Sequence, residues 1–235
     1  MQYDPPLTKA TLLKRYKRFL ADVQLEDGQI LTAHCANTGA MTGCAEPGFT
    51  AWLHFHNNPK RKLPCSWVLA ENHRGEMIGI DTHMANELVH KALLEGRLEP
   101  LSGYDTVKRE VSYGTQRSRI DFLLASENRR DCYVEVKSVT LCTDGHTGLF
   151  PDTVTDRGRK HLLELTEMAR QGHRVVLIYC VQHTGIQHVS LQNTIDPAYT
   201  ETLLSAQQQG LEIYAFGCEL NQKNSYINQQ LPVEM

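Results

Sequence analysis

The sequence predicts a small all-β unit followed by an α/β unit. Three observations predict it. Five short β-forming runs separated by turn residues fill residues 1–80, the pattern turns helical near Asp81, and from Tyr133 onward strands and helices alternate. At 235 residues the chain can bury either one large core or two modest ones.

In the first unit, Leu7 to Val23 reads as one basic strand, with Lys9, Lys14, Arg15, Lys17 and Arg18 among Leu12, Leu13, Tyr16, Phe19 and Leu20. Glu26-Asp27-Gly28 is a hairpin turn into the strand Gln29 to Cys35. Asn37 to Gly43 is a loop dense in residues that turn the chain. Pro47-Gly48 opens the strand Phe49 to His56, and the basic tip Asn57 to Lys62 leads into Ser66 to Glu71. Arg74-Gly75 then turns the chain into Met77 to Ile80. Five strands of this kind predict a small closed OB-like barrel over residues 1–80.

Residues 81–235 make the second unit. Asp81 or Thr82 is placed to cap a helix with Met84, Leu88 and Ala92 on one face and Gly96 at its end. Val107 to Tyr113, Arg119 to Leu124 and Cys132 to Thr140 follow as strands, and Gly145 to Asp152 reads as loop. Thr153 and Asp156 have capping-box spacing for a helix that runs to Arg170 and closes at Gly172. Arg174 to Val181 is a continuous apolar run, the mark of a strand buried on both faces. Asp196-Pro197 starts another helix, Gly210 ends it, and Leu211 to Cys218 is the last strand expected. This order implies parallel pairing with right-handed crossovers, hence an α/β fold on a mixed sheet.

Hydrophobic residues make 41% and charged residues 22%, a globular balance without the signature of disorder. The net charge of -3 is uneven: residues 1–80 carry nine Lys/Arg against seven Asp/Glu, and the remainder fifteen against twenty. A basic strip beside an acidic pocket suits phosphate binding better than the total suggests. Seven cysteines show no CxxC pair, and several lie in apolar strand-like runs as buried free thiols do, which suits a reducing compartment. No basic-then-apolar leader and no apolar run of spanning length is seen, so a cytoplasmic protein without a membrane partner is expected.

The chemistry centres on two successive strands. Glu135 and Lys137 share one strand face, with Val134 and Val136 on the other, and Ile120, Phe122 and Leu124 oppose Asp121 on the strand before. Paired as a hairpin, these strands bring Asp121, Glu135 and Lys137 together. Two acids and a lysine amid apolar sequence are costly unless they hold a metal or each other. The ordinary reading of Glu-x-Lys is a solvated sheet face; the β-forming context and the second acid-bearing strand favour a divalent-metal site.

Arg157, Arg159 and Lys160 fall in the first turns of the next helix, where cations are disfavoured unless an anion is near. They either reach for phosphate or pair with Asp152, Asp156 and Glu164. The Lys60-Arg61-Lys62 tip and the basic first strand would track a phosphate backbone, with Tyr16, Phe19 and Trp52 as stacking candidates. Phe19 and Trp52 are expected in the core. His54 and His56 share a strand face but lack partners at ligand spacing, so a non-ligand role is expected.

Several long motifs occur in order: Arg15 to Val23, Asn37 to Met41, Tyr113-Gly114 with Arg117 to Phe122, Glu135 to Thr140, and Phe150-Pro151-Asp152 with Arg157-Gly158 and Lys160-His161-Leu162. Over essentially the whole chain they resemble the sugar fermentation stimulation protein A (SfsA) family. The resemblance implies an OB-like barrel joined to a domain similar to the PD-(D/E)xK nucleases, restriction-endonuclease-like in its sheet. It also implies DNA binding linked to the regulation of sugar (maltose) metabolism.

Carried onto this chain, Asp121 and Glu135 match the metal-binding acids and Lys137 the lysine that positions the attacking water. Beyond that match, Mg²⁺ or Mn²⁺ is expected, ligated also by the Val136 carbonyl, with Glu110, upstream on the adjoining strand, as a further acid and Glu87 on the preceding helix in reserve. Ile120 replaces the motif's proline, and Ala36 stands where a proline is expected before Asn37. The DNA contacts expected in all are Arg15, Lys17, Arg18, Asn37, Thr38, Lys60, Arg61, Lys62, Arg157, Arg159 and Lys160, with little sequence specificity. A nuclease and a non-catalytic DNA-binding regulator both stay open at this point, as do association with the nucleoid and a homodimer.

Overall fold

The computed structural model describes residues 1–58, 60–114, 118–192 and 194–234. Pro59 of the basic tip and Arg117 of the quoted motif lie outside the described residues. The barrel consists of β1 (Thr8–Tyr16), β2 (Leu20–Leu25), β3 (Ile30–Cys35), β4 (Thr50–Phe55) and β5 (Cys65–Glu71), with β6 (Met77–Gly79) laid against β5. The strand order is β3-β2-β1-β4-β5, and parallel pairing of His34 with Ser66 and Cys35 with Trp67 closes the ring. Leu12, Ala21, Val23, Ala33, Ala51, Leu53 and Trp67 fill it. Small residues predominate because a ring this narrow leaves room for few large ones.

Leu7 to Val23 is therefore two strands rather than one. Lys17 and Arg18 take left-handed φ values of 49° and 66°, and β1 returns as β2 with Tyr16 opposite Leu20. Neither glycine nor asparagine marks that turn, which is why periodicity alone runs through it. Phe19 sits on the tip at 47% exposure, not in the core, whereas Trp52 is half-buried and donates its indole N–H to Glu71 at 3.1 Å.

The second unit is built on a six-stranded mixed sheet, ordered β15-β14-β12-β9-β8-β7. Its strands are β7 (Thr106–Tyr113), β8 (Ser118–Ser126), β9 (Arg129–Val139), β12 (Arg174–Val181), β14 (Leu211–Leu220) and β15 (Ser225–Leu231). β9, β12 and β14 are parallel, as the alternating pattern requires, and β7, β8 and β15 run against their neighbours. β15 follows the strand expected to be last, because its polar residues at 226 and 228 to 230 hide the edge-strand pattern. A four-stranded sheet joins β10 (Leu141–Cys142), β11 (Thr147–Leu149), β13 (His188–Ser190) and β16 (Val233–Glu234); β11 falls in the Gly145 to Asp152 segment expected as loop, and the sequence reading assigns no element to the other three. Strands of two or three residues are too short to show a period.

Helix α1 (Met84–Leu94) covers one sheet face, and α2 (Asp156–Arg170) with α3 (Pro197–Gln208) covers the other. Met84, Leu88 and Ala92 of α1 share a core with Val68 and Leu69 of the barrel and with Phe122, Val134 and Ile178 of the sheet. Barrel and sheet thus bury one continuous apolar surface. Asp81 does not cap α1 directly; its carboxylate takes the His83 N–H at 3.0 Å just upstream. The α2 cap is Thr155 rather than Thr153, its hydroxyl accepting the Gly158 N–H at 3.0 Å. Asp196 caps α3 as expected and also accepts the Thr155 N–H at 2.8 Å, fixing the two helix starts together.

Candidate metal centre

Three acids stand abreast where the ladder fails. The β8–β9 pairing ends at Phe122 opposite Val134, and one further step sets Asp121 opposite Glu135. On the other side, Arg109 pairs with Phe122 and Val111 with Ile120, which leaves Glu110 opposite Asp121 without a bridge. Glu110 has φ 52°, a strained value for a non-glycine residue inside a strand. The break also swaps faces. Val107, Phe122 and Leu124 pack with α1, while Val111, Tyr113 and Ile120 pack with α2 and α3. Ile120 therefore does not share a face with Phe122, contrary to simple alternation, and the swap falls at the step where β7, β8 and β9 lose their bridges.

The gap is bridged by side chains. Asp121 Oδ2 accepts the Val136 N–H at 2.7 Å and Oδ1 accepts the Asn86 amide at 2.7 Å. In a strand, the N–H and C=O of one residue point to the same edge, so the Val136 carbonyl faces the Asp121 side too. Glu135 and Lys137 lie beside Leu177 and Tyr179 of β12 and face α2. Lys137 Nζ meets Glu135 Oε1 at 2.5 Å, and His161 Nδ1 of α2 binds the same oxygen. Glu135 is 3% exposed, and its other oxygen, Oε2, is buried with no hydrogen-bond partner.

Electrostatics follow from this geometry. Burial and the nearby Glu135 charge push the Asp121 carboxyl up to about 6, partly offset by the Val136 and Asn86 bonds. For Glu135, burial acts upward, but Lys137 and His161 outweigh it and hold the carboxyl below the ordinary glutamate value.

Asp121, Glu135 and Lys137 open into one pocket of about 620 Å³, which Glu110, Arg157 and Lys160 also line. Glu110 is exposed on its rim, and no three acidic, histidine or cysteine side chains among the described residues close into one metal-binding group. Two strand spacings separate Glu110 from Glu135, roughly 10 Å at the backbone, which accounts for its standing apart. Glu87 is held by Arg109 at 2.5 Å.

The remaining residues scatter. Arg159 pairs with Asp156 at 2.9 Å and does not line the pocket that Arg157 and Lys160 line. Arg15 donates to the carbonyls of Arg18, Asn37 and Gly39 at 2.9 to 3.0 Å, pinning the β1–β2 turn to the following loop. Asn37 Oδ1 accepts the Gly39 N–H at 2.8 Å, and Thr38 beside it is exposed. Asn37 and Gly39 border a small cleft with Ser138 and Thr140, and Thr82 lines both that cleft and the metal pocket. Lys17, Arg18, Lys60, Arg61 and Lys62 are exposed on barrel turns, outside the pocket. His56 bonds Ser66 at 2.8 Å, with the His54 ring 5.0 Å from its own.

Asn86 and His161 escape a reading of single residues. His161 is within reach of periodicity, since Arg157, His161 and Glu164 recur at helical spacing on the face that α2 turns to the sheet. Nothing in the sequence marks Asn86.

A family model described as the sugar fermentation stimulation protein RE domain matches residues 83–224, and one described as the SfsA N-terminal OB domain matches residues 13–80. This chain belongs to the SfsA family. A sugar fermentation stimulation protein homolog of Pseudoalteromonas atlantica is 52% identical over 233 residues, covering 99% of each chain. The structure of Pyrococcus furiosus SfsA in complex with Ca²⁺ superposes with a TM-score of 0.86 at 26% identity, over 100% of this chain and 98% of the other. The SfsA fold, an OB-like barrel before a mixed sheet with helices, is thus the fold of this chain. No described helix is long and apolar enough to cross a membrane.

Proposed function

We propose that the pocket is a divalent-metal centre that hydrolyses phosphodiester bonds of DNA, on a domain of the PD-(D/E)xK nuclease type. One observation carries this reading. Glu135 gives Oε1 to both Lys137 and His161 and keeps Oε2 buried and unpartnered beside Asp121. A cation is the partner that satisfies such an oxygen. Two carboxylates and the Val136 carbonyl suit Mg²⁺ or Mn²⁺, ions that keep several waters and need few protein ligands. The Ca²⁺ complex of the Pyrococcus furiosus relative supports a divalent ion of that kind.

Asp121 and Glu135 would hold the ion, which when bound polarises the phosphoryl oxygen and lowers the pKa of a coordinated water. Lys137, fixed on Glu135, presents its ammonium to the attacking water and to the charge that develops on phosphate. His161 and Asn86 orient the two carboxylates. Arg157 and Lys160 at the rim hold the DNA backbone, and the exposed barrel cations extend that track. A link to sugar metabolism would then act through DNA.

The test incubates the protein with supercoiled, linear and single-stranded DNA in Mg²⁺, Mn²⁺ or EDTA. Cleavage that needs metal and vanishes in Asp121→Ala and Lys137→Ala is the expected outcome. DNA binding with no cleavage under any metal would sink the hydrolytic part and leave a regulator.

A further inference from the structure

Beside the metal pocket, and sharing Thr82 with it, lies a cleft of about 170 Å³ between barrel and sheet. The barrel supplies Asn37 and Gly39 of the loop after β3, and the second unit supplies Ser138, Thr140, Phe150 and Asp152 with two leucines. The two walls stand close, since a Cβ at Gly39 would lie 3.5 Å from Asp152 Oδ2. Ser138 follows Lys137 directly along β9, so the cleft opens one residue beyond the lysine of the metal pocket.

The lining says what kind of group it takes. Among the described residues no lysine, arginine or histidine lines it, while the half-buried Asp152 brings a negative charge. A phosphate is repelled there and a neutral group is favoured. A carboxylate only accepts hydrogen bonds, so that group must carry donors. Gln182 Nε2 donates to Ser138 Oγ at 2.7 Å, which leaves the Ser138 hydroxyl hydrogen to donate in turn. Phe150 packs against Tyr179 and Tyr199, with ring centres 5.9 and 5.5 Å away, and gives the cleft a fixed apolar side. The volume falls short of a drug-sized pocket, which starts near ~300 Å³. One flat ring with an apolar face and a polar edge has the size and chemistry that fit.

We infer that this cleft takes one unpaired nucleobase of a single-stranded DNA substrate, read by Asp152 and Ser138. The inference rests on the DNA reading proposed above and names its substrate class. Guanine fits best: its N1–H and N2–H lie side by side to meet the two carboxylate oxygens, and its O6 accepts from Ser138. Pairing in a duplex consumes N1–H, so the base must be unpaired. Thymine, with one imino N–H and no amino group, fits worst. The neighbouring phosphate then falls to the metal pocket, which Arg157 and Lys160 line.

Anisotropy of fluorescent strands in Ca²⁺, checked for intactness on a gel, is the test. The strands are oligothymidine with one central guanine, the same strand with thymine or an abasic position there, and the duplexes of the first two. Wild type should bind the guanine strand about tenfold tighter than the thymine and abasic strands, a preference absent from the duplexes. Asp152→Asn should erase that preference and leave affinity for the abasic strand close to wild type. Equal affinity for the three single strands overturns the inference while DNA binding stands, as does an Asp152→Asn that weakens all strands alike. No binding of any strand refutes the DNA reading itself. Equimolar GMP should not displace the guanine strand; displacement assigns the cleft to a free nucleotide and overturns the inference. Should Asp152→Asn fail to fold by circular dichroism, Ser138→Ala decides: an undiminished guanine-over-abasic ratio overturns it.

Discussion

Asp121 Oδ2 accepts the Val136 N–H at 2.7 Å, a bond that an ordinary hairpin would give to a backbone carbonyl. The carboxylate thereby replaces a rung of the sheet. It lies between β8 and β9, opposite Glu135 on the neighbouring strand and on the pocket assigned to the proposed metal centre.

The first expectation concerns pH. The Asp121 carboxyl is raised from 3.8 to about 6, so without metal the folded state binds its proton more tightly than the unfolded chain does. Its contribution is fully present below pH 3.8 and is lost as pH rises through about 6. Metal-free Asp121→Asn should therefore gain on the order of 3 kcal/mol over wild type at pH 7, since one pKa unit is about 1.4 kcal/mol. The gain should shrink toward pH 4. Urea melts in EDTA measure it, and saturating Mn²⁺ should narrow or reverse the difference by stabilising only wild type.

Lys137 has a structural share in its site. Lys137→Ala leaves Glu135 with His161 alone, and losing one partner of a buried pair costs about 3 kcal/mol. The double variant Lys137→Ala/Glu135→Gln should recover much of that in denaturant melts while staying inactive. Recovery of stability without cleavage separates the two roles.

Arg15 should behave differently from the barrel-tip cations. Arg15→Ala removes donors to three carbonyls and is expected to cost on the order of 2 kcal/mol of stability. Replacing Lys60, Arg61 and Lys62 with alanine should leave the melting temperature within a degree or two, given their exposure. It should instead flatten the salt dependence of DNA binding, by about 0.9 in log–log slope for each phosphate that is no longer neutralised. An unchanged slope removes the tip from the DNA track.

Asp196 sits outside the pocket but sets α2 in place. It is buried and accepts from Thr155 and Tyr199 at 2.8 and 3.0 Å, so Asp196→Ala should destabilise by about 2 kcal/mol. Because α2 carries Arg157, Lys160 and His161, the same change should weaken metal-dependent cleavage, whereas Asp196→Asn should retain most of both.

Much of this was written locally. Alternation and turn residues delimited most of the barrel, and Asp196-Pro197 and the apolar Arg174 to Val181 run marked their elements to the residue, because caps and buried strands act over a few neighbours. Asp121, Glu135 and Lys137 were legible as a cluster because hairpin strands place them within a few residues of one another in register. What only the tertiary structure decided lies across greater distances in the chain. Asn86 on Asp121 and His161 on Glu135 join residues 35 and 26 positions apart, and no local pattern encodes which helix side chain meets which strand. The left-handed Glu110 and the swap of Ile120 to the other face belong to that class as well. They occur at the one register step where β7, β8 and β9 carry Glu110, Asp121 and Glu135 side by side, a juxtaposition that exists only once the strands are paired.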